Sequence, residues 1–190
     1  QARRILDELP PLSDQIVASL LLSLRIAPTF AFAPPFTLIR TPATVRLLLS
    51  LGLAYWLVAA NPESTALAER SSVAAAAVSE LMLGLTFALA LQLAFAALLT
   101  AGRALDIQVG FALAQVADPT LRTQMPLVGT LFVYAAGAIF FSTGATADLL
   151  AIWSRSLTAA PLGSFAGAFD LAALLEYIRA VFVLAVGLAG

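Results

Sequence analysis

SVAAAAVSELMLGLTFALALQLAFAALLTA, Ser72 to Ala101, decides the fold, because Glu80 is its one ionisable residue. About 20 apolar residues cross a bilayer core. This block has roughly 30, and at about 1.5 Å per residue a straight helix of that length spans roughly 45 Å against ~30 Å of hydrocarbon. A perpendicular span does not fit. The block is expected to tilt strongly, to break near Gly84, or to run inside a protein assembly. Ser72, Ser79, Thr86 and Thr100 lie at heptad spacing, so their small hydroxyls form one stripe. Such a stripe suits close helix packing, with a polar, substrate-facing lining as the sharper alternative.

The whole chain shares the character of this block. It has 190 residues, 61% hydrophobic and 11% charged, with a mean hydropathy of +0.97. A soluble domain carries about 25% charged residues. This chain lacks the charge to coat a surface facing water, so it reads as an all-α integral membrane protein. A first apolar block runs from about Gln15 to Phe32 and contains Arg25 and Pro28. The proline-rich stretch APPFTLIRTPATVR (33–46) follows it, and a second block spans Ala43 to Ala60. Beyond Ala101, a fourth block runs from Pro126 to Phe141 and continues through STGATADLLAIWSRSL (142–157), and a fifth starts near Phe165. Arg40 and Arg46 follow the first block with no acid between them, which by the positive-inside rule places that loop in the cytoplasm and the N-terminus outside.

The missing residue types limit the chemistry. There is no Cys and no His, and all ten cations are arginine. Thiolate nucleophiles, cysteine metal sites, histidine bases, P-loop lysines and Schiff bases are therefore excluded. No catalytic, cofactor-binding or metal-binding residue is expected. A net charge of −1 without a basic cluster gives no support to nucleic-acid binding. Asp106 and Asp118 do not form a convincing catalytic pair, because Asp118-Pro119 reads as a turn. Arg103 with Asp106, and Glu176 with Arg179, are spaced to neutralise one another locally. Glu80 sits at membrane depth, where an acid is costly. It is expected to make a polar contact to a neighbouring helix or subunit, a role in which glutamine would serve as well.

AGRALDIQVGFALAQVADP, Ala101 to Pro119, interrupts the apolar pattern with an acid, an internal glycine and a terminal Asp-Pro. It resembles the signature of the FliR family, called SctT in injectisomes. Gly102, Gln108, Gly110, Phe111, Ala114, Asp118 and Pro119 fall on that signature. SLRIAPTFAFAPPF (23–36), IRTPATVRLLLSLGLA (39–54) and SELMLGLTFAL (79–89, with Glu80 and Gly84) resemble further family segments in the same order. STGATADLLAIWSRSLTAAPLG (142–163) resembles another, but Thr143 and Thr146 stand where the family commonly has Asn and His.

The resemblance implies a non-catalytic, all-helical subunit of the type III protein-export gate, in the bacterial inner membrane at a flagellar basal body or injectisome base. Helical hairpins would pack in a hetero-oligomeric helical assembly with FliP-like, FliQ-like and FlhB-like subunits and membrane lipid. Its substrates would be unfolded secreted proteins. It further implies a pore plug made of Gly110, Phe111, Ala112, Leu113, Ala114, Gln115, Val116 and Ala117, with Glu80, Gly84, Gly102, Gln108, Asp118 and Pro119 serving assembly and packing. Residues 1–190 would form one helical membrane domain that lacks the family's C-terminal helical hairpin. The alternative is a small-molecule or ion transporter subunit, since transporters build sites from helices broken as this one would be at Gly110. Against it, no inverted repeat is evident.

Overall fold

The computed structural model describes residues 12–62, 73–110 and 126–163, together with Arg179. The described residues form five helices: α1 (Leu12–Phe32), α2 (Ala43–Ala60), α3 (Val73–Val109), α4 (Leu127–Ser142) and α5 (Ala145–Ala159). They contain no strand. The fold class is all-α. Three of the helices, α1, α2 and α3, are long and apolar enough to cross a membrane.

The helix ends follow local chemistry. Pro42 and Pro126 stand immediately before α2 and α4, where a missing N–H does no harm. Gly110, at φ +84°, ends α3, and Gly144, at φ +79°, separates α4 from α5. Both positions need the left-handed backbone that glycine adopts without strain. The apolar block that runs through Phe141 therefore divides into two helices. α3 does not break at Gly84. It runs on past Ala101 for 37 residues in all, about 55 Å at 1.5 Å per residue.

The chain divides into two compact units: residues 1–89 with 146–169, and residues 90–145 with 170–190. In the first, α1 packs against α2. α2 buries Ser50, Ala54, Leu57 and Val58, one helical stripe at i, i+4, i+7 and i+8. Its other face leaves Leu48 67% and Trp56 58% exposed, so lipid or protein must cover that surface. α5 buries Leu149, Trp153 and Leu157, the same face at i, i+4 and i+8. The Trp153 ring meets Phe30 of α1 at 5.8 Å, and Phe30 in turn meets Phe36 at 4.7 Å. Arg46 ties the loop between α1 and α2 by donating from Nε to Thr41 Oγ1 at 3.0 Å and from Nη1 to the Ala31 carbonyl at 3.3 Å.

In the second unit, the C-terminal part of α3 lies against α4. It buries Phe95, Ala97 and Ala101, while α4 buries Gly129 and Gly137. Leu127 and Leu131 of α4 face outward, 63% and 65% exposed.

Candidate functional site

Arg25 of α1 and Glu80 of α3 stand as the opposite charges of two apolar blocks, and the fold brings them together. Arg25 Nε donates to Glu80 Oε2 at 2.6 Å and Nη2 donates to Oε1 at 2.9 Å, and both side chains are fully buried. This is the bidentate fork that only arginine offers a carboxylate. Two further bonds hold the guanidinium: Nη1 donates to Ser156 Oγ at 3.0 Å and Nη2 donates to the Ala160 carbonyl at 2.9 Å. Glu80 Oε1 additionally accepts the Gly163 amide at 3.2 Å. Buried charges persist only when paired and hydrogen-bonded, and this centre satisfies both conditions.

Glu80 therefore contacts an arginine of its own chain. A glutamine at position 80 would keep a hydrogen bond but leave the Arg25 charge unbalanced, so the ion pair argues against treating the two residues as equivalent here. Arg25, Ser156 and Gly163 escape a reading by short motifs because their partners lie 55 to 135 positions away. The available signal was one cation and one acid, each standing within a different apolar helix.

Gly84 lies beside this centre. A Cβ there would fall 2.5 Å from the Arg25 carbonyl oxygen and 2.6 Å from that of Leu24. Pro28, four residues after Leu24, has no N–H to give the Leu24 carbonyl. The Cα–H that a methyl would replace in Gly84 points at these oxygens, a weak donor to a carbonyl deprived of its helical one. Gly84 thus permits close approach of α3 to α1.

The second unit has its own close crossing. A Cβ on Gly102 of α3 would collide with the Cα and N of Gly129 in α4, and one on Gly129 would lie 2.8 Å from the Leu99 carbonyl oxygen. One turn beyond Gly102, the buried Asp106 carboxylate accepts the Val128 amide at 3.1 and 3.2 Å. Val128 is in the first turn of α4, where N–H groups lack helical partners and negative charge is favoured. Asp106 thus caps α4, and Arg103, expected to neutralise it, is exposed instead.

The hydroxyls of the heptad stripe turn back on their own helix: Ser79 to the Ala75 and Ala76 carbonyls, Thr86 to Met82 and Thr100 to Ala97. Each hydroxyl satisfies itself locally, but only Ser79 is buried and Thr100 is exposed, so the described stripe does not follow one packed face. Gln108, near the end of α3, is exposed. Phe111, Ala112, Leu113, Ala114, Gln115, Val116, Ala117, Asp118 and Pro119 lie outside the described residues, as do Ser72 and Glu176.

Apolar helices joined by a buried ion pair and by glycine-to-glycine contact define a helical membrane protein with no evident reaction centre among its described residues. The chain belongs to the bacterial export proteins, family 1, whose family model matches residues 16–190. It is 32% identical over 133 residues to the flagellar biosynthetic protein FliR of Bacillus subtilis (strain 168), a match that covers 67% of this chain and 49% of that protein. The chain thus spans about half the length of this curated relative.

Proposed function

We propose that the chain is a non-catalytic subunit of the gate through which the flagellar type III apparatus exports unfolded proteins across the bacterial inner membrane. The observation that carries this reading is family membership over residues 16–190. Similarity to a flagellar biosynthetic protein favours the flagellar over the injectisome system. The α3 helix adds a physical reason for assembly. It is about 55 Å long, nearly twice a ~30 Å hydrocarbon core, so lipid alone does not cover it when upright. FliP-like, FliQ-like and FlhB-like subunits are the partners that would cover the rest.

Gly110 to Ala117 would supply the plug that closes the resting channel. Two features support this placement. Gly110 ends α3, and the Asp106–Val128 contact brings together the two ends of the connection between α3 and α4. Apolar side chains held there would block ions by excluding water.

Deleting the gene and complementing it with the full protein tests the reading. Export of flagellar subunits should vanish and return, and the tagged protein should co-purify with the FliP-like and FliQ-like subunits. Unchanged export in the deletion strain would show the reading to be wrong.

A further inference from the structure

The Arg25–Glu80 centre does more than neutralise two charges. An apolar pair of similar volume would join α1 to α3 as well or better. What it would not supply are the three further contacts, to Ser156 Oγ, the Ala160 carbonyl and the Gly163 amide. All three lie on the last turn of α5 or on the turn after it. A helix terminus leaves backbone carbonyls without partners, and away from water each must find one within the protein. The guanidinium answers the carbonyl at Ala160, where a cation also suits the helix dipole. The carboxylate answers the amide at Gly163, whose φ of +77° turns the backbone. Leu162, between them, is 1% exposed.

We propose that the Arg25–Glu80 pair is a latch for α5: its two charges jointly hold the helix end and the turn to Gly163 on α1 and α3, and losing both releases that end while the rest of the unit stays packed. Arg25 and Glu80 are positioning residues in this scheme. The inference concerns the fold of this chain and stands independently of the export reading.

No cysteine lies between Gln1 and Gly190, so labelling of an introduced thiol is read as the increase over the unsubstituted protein treated in the same way. Leu162→Cys reports on the latched turn. Ala54→Cys, in the buried stripe of α2, reports on the unit as a whole. Each is placed in the full protein, purified in detergent with any subunits that accompany it, and treated with N-ethylmaleimide. With Arg25 and Glu80 present, both thiols should be protected. In the double variant Arg25→Met, Glu80→Leu, labelling at position 162 should rise at least tenfold while position 54 stays protected. Arg25→Lys keeps the charge but loses the fork, and should give intermediate labelling at 162. Continued protection at 162 in the double variant overturns the latch. So does labelling of both positions together, or loss of the protein altogether, since either would assign the pair to the stability of the entire unit. Full protection in Arg25→Lys would overturn the part assigned to the fork.

Discussion

Replacing Gly102 by alanine adds one methyl group at the crossing of α3 and α4, and the structure sets its effect. The new carbon meets the backbone of Gly129 and lies 2.9 Å from the Val128 carbonyl carbon. Neither is a side-chain end that can swing aside, so α4 must retreat by about 1 Å, and overpacking of this kind costs about 1–3 kcal/mol. The retreat also draws Val128 away from Asp106, whose bonds of 3.1 and 3.2 Å leave little slack. Losing a hydrogen bond to a charged group costs about 1.5–3 kcal/mol. Alanine returns up to ~1 kcal/mol through its better helix propensity. Central values leave a net loss of about 3 kcal/mol, more than a hundredfold in the folding equilibrium. The assay is reversible denaturant unfolding of the purified full protein, compared with Gly52→Ala. A Cβ at Gly52 meets nothing within 4 Å, so that variant should be neutral or more stable by up to ~1 kcal/mol. If Gly102→Ala unfolds within about 0.5 kcal/mol of the parent, the α3–α4 crossing has room for a methyl group and is not held by glycine-to-glycine contact.

Gly84→Ala should lower stability by about 1–3 kcal/mol, because its methyl would press on the Arg25 and Leu24 carbonyls; the same unfolding assay checks it. Glu80→Gln breaks a buried ion pair, which costs about 3–5 kcal/mol, so the membrane level of the protein should fall sharply; normal levels on an immunoblot would contradict the pairing. Asp106→Asn keeps an acceptor for Val128 but loses the charge at the α4 N-terminus, a loss of about 1 kcal/mol, whereas Asp106→Leu should lose about twice that. A parent-like unfolding curve for Asp106→Leu would rule out the cap. Deleting Gly110 to Val116 should leave the assembled complex intact but make cells leak small ions, and Phe111→Ala should leak less because neighbouring apolar groups still narrow the path. An intact complex that stays tight after the deletion would remove the plug from the proposal.

Much of this protein was legible before folding, and the reason lies in the solvent. A continuous apolar run such as Ala43–Ala60 has one stable form in a bilayer, the helix, because it satisfies every backbone group within its own segment, whereas barrel strands are shorter and alternate in polarity. The start and end of α2 could therefore be read directly, and the prolines and glycines marked several other boundaries through their fixed or permissive φ. Periodicity likewise exposed the hydroxyl stripe of α3. Length alone could not decide among tilt, breakage and assembly. Gly84 looked like a point of weakness, yet α3 runs straight through it, since a glycine in a helix costs only ~1 kcal/mol and contact with α1 gives it a place. The pairing of Arg25 with Glu80, the capping of α4 by Asp106 and the meeting of Gly102 with Gly129 belong to the tertiary structure. A sequence shows that a buried charge or a bare glycine needs a partner. Which partner it finds depends on the direction in which each helix returns, and that is settled only when the helices pack.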